Sequence, residues 1–163
     1  MSGYSVFNPP RAENQIEITK DVTSQHRALP ARSGEVSILS VGHLDEDHLR
    51  LVNIAVAWEW KVYRALTCRE AAEILGAKNE IPVVLCEREL SDGGWKDILR
   101  IVEEHENAPL LIVASRLADE ALWAEVLNIG GYDVLLTPYE TEEVVRVISV
   151  ATMYWKRKKI RAS

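Results

Sequence analysis

From residue 35 onward the apolar positions follow one pattern five times over: a short unbroken or alternating run, then a stretch at helical spacing. The short runs are residues 36–41 (VSILSV), 60–66, 81–86, 110–114 and 132–136, each long enough for a strand. The run LLIVA at 110–114 is apolar throughout, as a strand covered on both faces must be. Each is followed by a predicted helix, five in all. The first, 45–57, opens on Asp45-Glu46-Asp47, suited to the positive end of a helix dipole, and carries Leu49, Val52 and Val56 at core spacing. The second begins with a capping box, Thr67-Cys68-Arg69-Glu70, and ends at Gly76. The third, 95–105, turns Ile98, Ile101 and Val102 inward, and the fourth, 118–129, stops at Gly130-Gly131. The fifth is capped by Thr141, buries Val144, Val147, Ile148 and Ala151, and ends in a basic cluster. Strictly alternating strands and helices with short connections predict parallel strands, right-handed crossovers and helices on both faces. The expected fold is α/β: a doubly wound, five-stranded parallel sheet in the order 2-1-3-4-5, flavodoxin-like.

Residues 1–34 break this pattern. Pro9-Pro10, Pro30 and Gly34 interrupt a mostly polar stretch, so it reads as a largely irregular extension, with Ile16-Glu17-Ile18 as one short candidate edge strand. The expected organisation is an extension over 1–34, a domain over 35–155 and a basic helix end over 156–163. Composition adds exclusions. With 163 residues, 47% hydrophobic and 27% charged, the chain is an ordinary globular one. A net charge of −6 opposes general nucleic-acid binding, which needs a surface that neutralises phosphates. No apolar run is long enough to span a bilayer, and the first residues lack the charged and apolar regions of a secretory signal. Cys68 and Cys86 lack metal-binding or redox spacing and sit in apolar surroundings, as packed thiols do. A cytoplasmic protein is expected.

The chemistry concentrates where the third strand ends, at Cys86-Glu87-Arg88-Glu89-Leu90-Ser91-Asp92-Gly93-Gly94. In open α/β sheets, sites lie outside the carboxyl ends of the strands. A flavin phosphate would need a hydroxyl- and glycine-rich loop after the first strand, and GHLDED is acidic there. A cobalamin-type Asp-x-His-x-x-Gly motif fails at both ends, since Val41 and Glu46 flank His43. Cys86 with His43 is the one nucleophile pairing available, but acidic neighbours raise a thiol pKa instead of lowering it. Packing is the better reading of Cys86, and no enzyme activity is expected.

The chain resembles the receiver domain of bacterial two-component response regulators over about 35–155. The likeness rests on the Glu87–Gly94 segment, on Gly130-Gly131 after the fourth helix, and on Thr137-Pro138-Tyr139 after the fifth strand. It implies a cis bond before Pro138. It also implies a site of five parts: an aspartate that accepts phosphoryl, an acidic pair that holds Mg²⁺, a hydroxyl, a lysine and an aromatic switch. At those positions this chain carries Glu87, then Gly42 and His43, then Ala114 (with Ser115 adjacent), Thr137 and Val134. The departures predict a degenerate, pseudo-receiver type without conventional aspartyl phosphorylation, with no cofactor and with Mg²⁺ not expected. Asp45, Glu87 and Glu89 are the weak candidates for a rebuilt metal site, although Asp45 and Asp47 read better as helix-capping acids.

The resemblance implies a signalling protein of the phosphorelay family acting by protein–protein contact. The alternatives are a constitutive module in which Glu87 mimics the phosphorylated state, a purely structural interaction module, and, less favoured, a small-molecule-binding flavodoxin-like protein. Partners are expected on the face of the fourth helix, fifth strand and fifth helix, where Trp123, Tyr132, Tyr139, Tyr154 and Trp155 cluster; a homodimer through this face is one form. No DNA-binding output domain is expected after the basic helix end.

Overall fold

The computed structural model describes residues 36–43, 45–117 and 119–162. The expected extension over 1–34, with its candidate strand at Ile16–Ile18, lies outside the described residues. The elements are β1 (Ser37–Val41), α1 (Glu46–Ala57), β2 (Lys61–Ala65), α2 (Cys68–Ala77), β3 (Val83–Glu87), β4 (Glu89–Leu90), β5 (Gly93–Gly94), α3 (Trp95–Glu103), β6 (Leu110–Ser115), α4 (Glu120–Ile129), β7 (Asp133–Leu136) and α5 (Thr141–Ala162).

Five strands form a parallel sheet in the order β2-β1-β3-β6-β7. Without the small β4–β5 hairpin this is the expected 2-1-3-4-5 order. β3 lies at the centre, and its first four residues are buried because helices cover both faces. One face of the sheet packs Leu39, Val41, Val84, Cys86, Leu111 and Val113 against α2, α3 and α4. The Thr137–Pro138 peptide is cis, as the resemblance implies.

Several local expectations are corrected. In α1 the buried stripe is His48, Leu51, Ile54 and Ala55, while Leu49 and Val56 face solvent at 55% and 72% exposure. The helix carries two apolar stripes one residue apart, and spacing alone does not choose between them; the Ser40 hydroxyl, 3.3 Å from His48 Nδ1, meets the inward one. α2 runs through Gly76 to Ala77 and is capped at Lys78, whose N–H donates to Ile74. Its first turn is capped by Thr67 as expected, but the Glu70 carboxylate accepts from Leu66 N–H, one residue further back than a standard capping box.

The Ser91–Gly94 turn is more than a turn. It closes the antiparallel β4–β5 hairpin, and its acid reaches another element. Asp92 accepts from the Cys68 and Arg69 N–H groups at 2.8 and 3.2 Å, satisfying orphan donors at the start of α2. Asp97 in turn accepts from Gly94 N–H at 2.9 Å at the start of α3. Tyr139 and Trp155 leave the expected partner face. Trp155 is buried with its Nε1–H donating to the Asn107 carbonyl, and Tyr139 turns inward toward the carboxyl ends of the strands.

Candidate functional site

An open cavity of about 360 Å³ lies at the carboxyl ends of the parallel strands. Its position follows from the topology: β1 and β3 are neighbours, and the loops after them diverge to helices on opposite faces. Glu87 is the last residue of β3, paired in register with Ala114 of β6. Both oxygens of its carboxylate are engaged by one residue. Oε2 accepts from the His43 backbone N–H at 2.6 Å, and Oε1 lies 2.9 Å from His43 Nδ1. The carboxylate therefore points toward the β1 side of its strand, away from β6.

Gly42 makes this possible. It has φ +156°, and a Cβ there would stand 2.2 Å from Glu87 Oε2. Any side chain at 42 would displace the carboxylate, so an acidic residue there and the observed Glu87 geometry exclude each other. His43 is 68% exposed. Its pKa lies above the ordinary 6.5, first because of the hydrogen bond to Glu87 and then because of that carboxylate's charge.

The remaining acids have separate tasks. Asp45 is the N-cap of α1, accepting from His48 N–H at 3.1 Å, and Asp47 pairs with Arg116 at 3.2 Å. Asp45, Glu87 and Glu89, the metal candidates read from the sequence, all line the cavity. Among the described residues, however, no group of three or more His, Cys, Asp or Glu is arranged to hold a metal ion. Thr137 is buried and lines the cavity alongside Ala114; Ser115, the next residue of β6, also lines it and accepts from Leu117 N–H. Val134 is buried in the core and reaches no part of the cavity lining.

Cys86 is fully buried, donates to the Glu87 carbonyl, and has its pKa pushed well up by burial. Cys68 is pushed up to about 11, chiefly by burial and then by Asp92. Neither is an activated thiol, and Cys86 does not meet His43. Sequence reasoning missed Arg116, Tyr139, Ser40 and His48, which also line the cavity. For Ser40 a signal existed: it is polar at a position that the strand period, with Val36 and Ile38, assigns to the interior; for His48 none did, because the helix spacing also fits the stripe that faces solvent. Burial pushes the Tyr139 phenol upward, with Asp47, Glu87 and Asp45 adding to the effect.

The fold and the placement of this cavity define a receiver-type doubly wound domain. No family model and no curated protein matches the chain. Solved structures do. The signal receiver domain of an HD domain-containing protein from Pseudomonas fluorescens is 20% identical, with a TM-score of 0.69 over 78% of this chain and 93% of its own. A two-component response regulator from Clostridium difficile is 19% identical, with a TM-score of 0.63 over 72% and 95%. The receiver domain of a sensor histidine kinase from Pseudomonas aeruginosa, with a magnesium ion coordinated in its active-site cleft, is 16% identical, with a TM-score of 0.64 over 73% and 98%. This chain has the receiver fold. Among the described residues, no helix is long and apolar enough to cross a membrane.

Proposed function

We propose that the chain is a receiver-type signalling module of the phosphorelay class that acts by protein contact, in the cytoplasm, and does not accept phosphoryl at Glu87. The observation that carries this reading is the double engagement of the Glu87 carboxylate by His43. An acceptor needs a free oxygen facing groups that neutralise the incoming charge. Here the facing positions hold Ala114 and Thr137, and the positions for a metal-binding pair hold Gly42 and His43. Hard cations such as Mg²⁺ select carboxylate and carbonyl oxygen, so the site is read as working without one.

The same geometry weighs against Glu87 as a mimic of the phosphorylated state. A mimic must reach toward β6 and β7, and this carboxylate is held on the β1 side. The domain is read as a docking module and not as an enzyme. Its contact surface is the face of α4, β7 and α5, where Trp123 and Tyr154 are half exposed and Tyr132 and Tyr154 stand 6.0 Å apart. Aromatics of this kind are favoured anchors at interfaces.

Intact-mass measurement after incubation with acetyl phosphate and Mg²⁺ tests the proposal. The expected result is an unchanged mass, for this chain and equally for Glu87→Asp, whose carboxylate still lacks a metal pair and a lysine. A stable gain of one phosphoryl group by the unaltered chain would overturn it.

A further inference from the structure

α5 outruns the sheet it covers. Its 22 residues make a helix about 33 Å long. The longest strand, β6, has six residues and spans about 20 Å. The helix starts at the carboxyl ends of the strands and runs back past their amino ends. Its buried residues stop at Trp155. Lys159 lies over the Trp155 ring at 5.2 Å, and its Nζ pairs with Glu80, which precedes β3. The last turns of α5 therefore stand at the end of the sheet opposite the cavity.

This end reverses the charge of the rest of the chain. Residues 156–161 hold five of the 19 Lys and Arg and none of the 25 Asp and Glu. Lys159 and Arg161 lie in the last turn, where cations complement the helix dipole. Lys156, Arg157 and Lys158 lie before it, and the dipole does not account for them. Among the described residues, Lys156, Arg157, Lys158 and Arg161 have no acidic partner.

An exposed apolar line runs among these cations. Val150, Met153, Arg157 and Ile160 recur at intervals of three and four, so they follow one side of the helix. Val150 is 51% exposed, Met153 43% and Ile160 73%. Lys156, three residues from Met153 and four from Ile160, borders the line on one side. Tyr154, Lys158 and Arg161 border it on the other. A helix that lies in the interface of a bilayer has this arrangement: the apolar line enters the acyl boundary, and flanking Lys and Arg extend to lipid phosphates. A nucleic-acid backbone would use the cations and leave Ile160 without a role.

We propose that the outer side of the carboxyl-terminal half of α5 docks on an anionic lipid bilayer and holds the domain there peripherally. The remainder of the chain is acidic, so the same lipid repels it and contact is confined to this helix. The contact is reversible and weakens with salt. This inference uses no group at the cavity, so it stands or falls separately from the reading of Glu87.

The test is flotation of the full chain with vesicles of phosphatidylcholine alone and with vesicles in which phosphatidylglycerol replaces part of it. The expected result is flotation with the anionic vesicles only, lost as salt is raised. Replacing Arg157, Lys158 and Arg161 together by Gln is expected to weaken partitioning about tenfold or more. Ile160→Ser is expected to weaken it severalfold. All four side chains are exposed, so both variants are expected to melt with the parent, which a circular-dichroism scan checks. Equal partitioning to the two vesicles, or none, would overturn the proposal. So would anionic binding that Ile160→Ser leaves unchanged and that a double-stranded oligonucleotide competes away, since the cluster would then be a general contact for polyanions.

Discussion

At the scale of single residues, the site is defined by where one carboxylate points. Glu87 is held by a backbone N–H and an imidazole of the same residue, an arrangement that fixes both its oxygens. The imidazole is largely exposed, so the pair is screened and its effect is read better in titration than in stability. Because the folded-state pKa of His43 is raised above 6.5, the pair's stabilising contribution is fully present below that pH. It is lost as pH rises through the raised folded-state value. Glu87→Gln removes the charge and the strong acceptor, so the His43 pKa is expected to fall toward 6.5 in an NMR titration. An unchanged value would mean that the two side chains do not meet in solution. Gly42→Ala is expected to give the same fall with Glu87 intact, because its Cβ would occupy the space of Oε2. That variant separates steric control from charge: it leaves every titratable group in place and moves only the carboxylate.

At the scale of elements, small polar contacts decide how helices join the sheet. Asp92 holds the first turn of α2 from the tip of the β4–β5 hairpin, and its pKa is lowered mainly by the hydrogen bond from Cys68 N–H. The sign is the usual carboxylate one: the contribution is present above the unfolded-state pKa and is lost as pH falls through the lowered folded-state value. Asp92→Ala is therefore expected to lower the melting temperature at neutral pH, and the difference from the parent should shrink in acid. Equal losses at all pH values would assign Asp92 to packing alone. Gly131 follows the α4 stop, and a Cβ there would stand 2.4 Å from Val126 Cγ1. Gly131→Ala overpacks that corner and is expected to cost about 1–3 kcal/mol in denaturant unfolding.

The strands themselves were legible in the sequence because a centrally buried parallel strand has to be apolar without interruption, as at 81–86 and 110–114. That Glu87 stands at the end of its strand was legible for the same reason, and the register sets it opposite Ala114. The Glu87–His43 pair was not, because which partner a strand-end carboxylate takes depends on the side chain that Gly42 lacks. The inward stripe of α1 was hidden by a second apolar stripe beside it. Tyr139 and Trp155 were misplaced because an aromatic at a helix end or after a proline turn fits core and interface equally by pattern. Asp92 looked like turn chemistry, and its capping of α2, more than twenty residues away in sequence, has no local signal.

At the scale of the molecule, the two long sides of the domain are unequal. The cavity is lined by Asp45, Asp47, Glu87, Arg88, Glu89 and Arg116, while the α4–β7–α5 side, among its own charges, exposes Trp123, Leu127, Leu136, Met153 and Tyr154. Two contacts tie that side together: Trp123 Nε1–H donates to Asp133 at 3.3 Å, and Tyr132 packs against Tyr154. β7 is also the outer strand of the sheet on this side. Scattered apolar residues are normal on any surface, but aromatics joined across three elements form a patch. A patch that only completes the fold would lose stability when truncated. A docking patch would lose association and keep its stability, because half-exposed side chains contribute little to the core. Trp123→Ala and Tyr154→Ala are expected to weaken association at this face about tenfold or more each, with melting temperatures close to the parent. Sedimentation across a wide concentration range measures this for self-association. If the parent dimerises and both variants shift toward monomer, the face is the homodimer contact; if the variants dimerise like the parent, it is not. A parent that stays monomeric throughout directs the same two variants to binding assays with other proteins, where loss of binding at unchanged stability is the outcome the exposed aromatics predict.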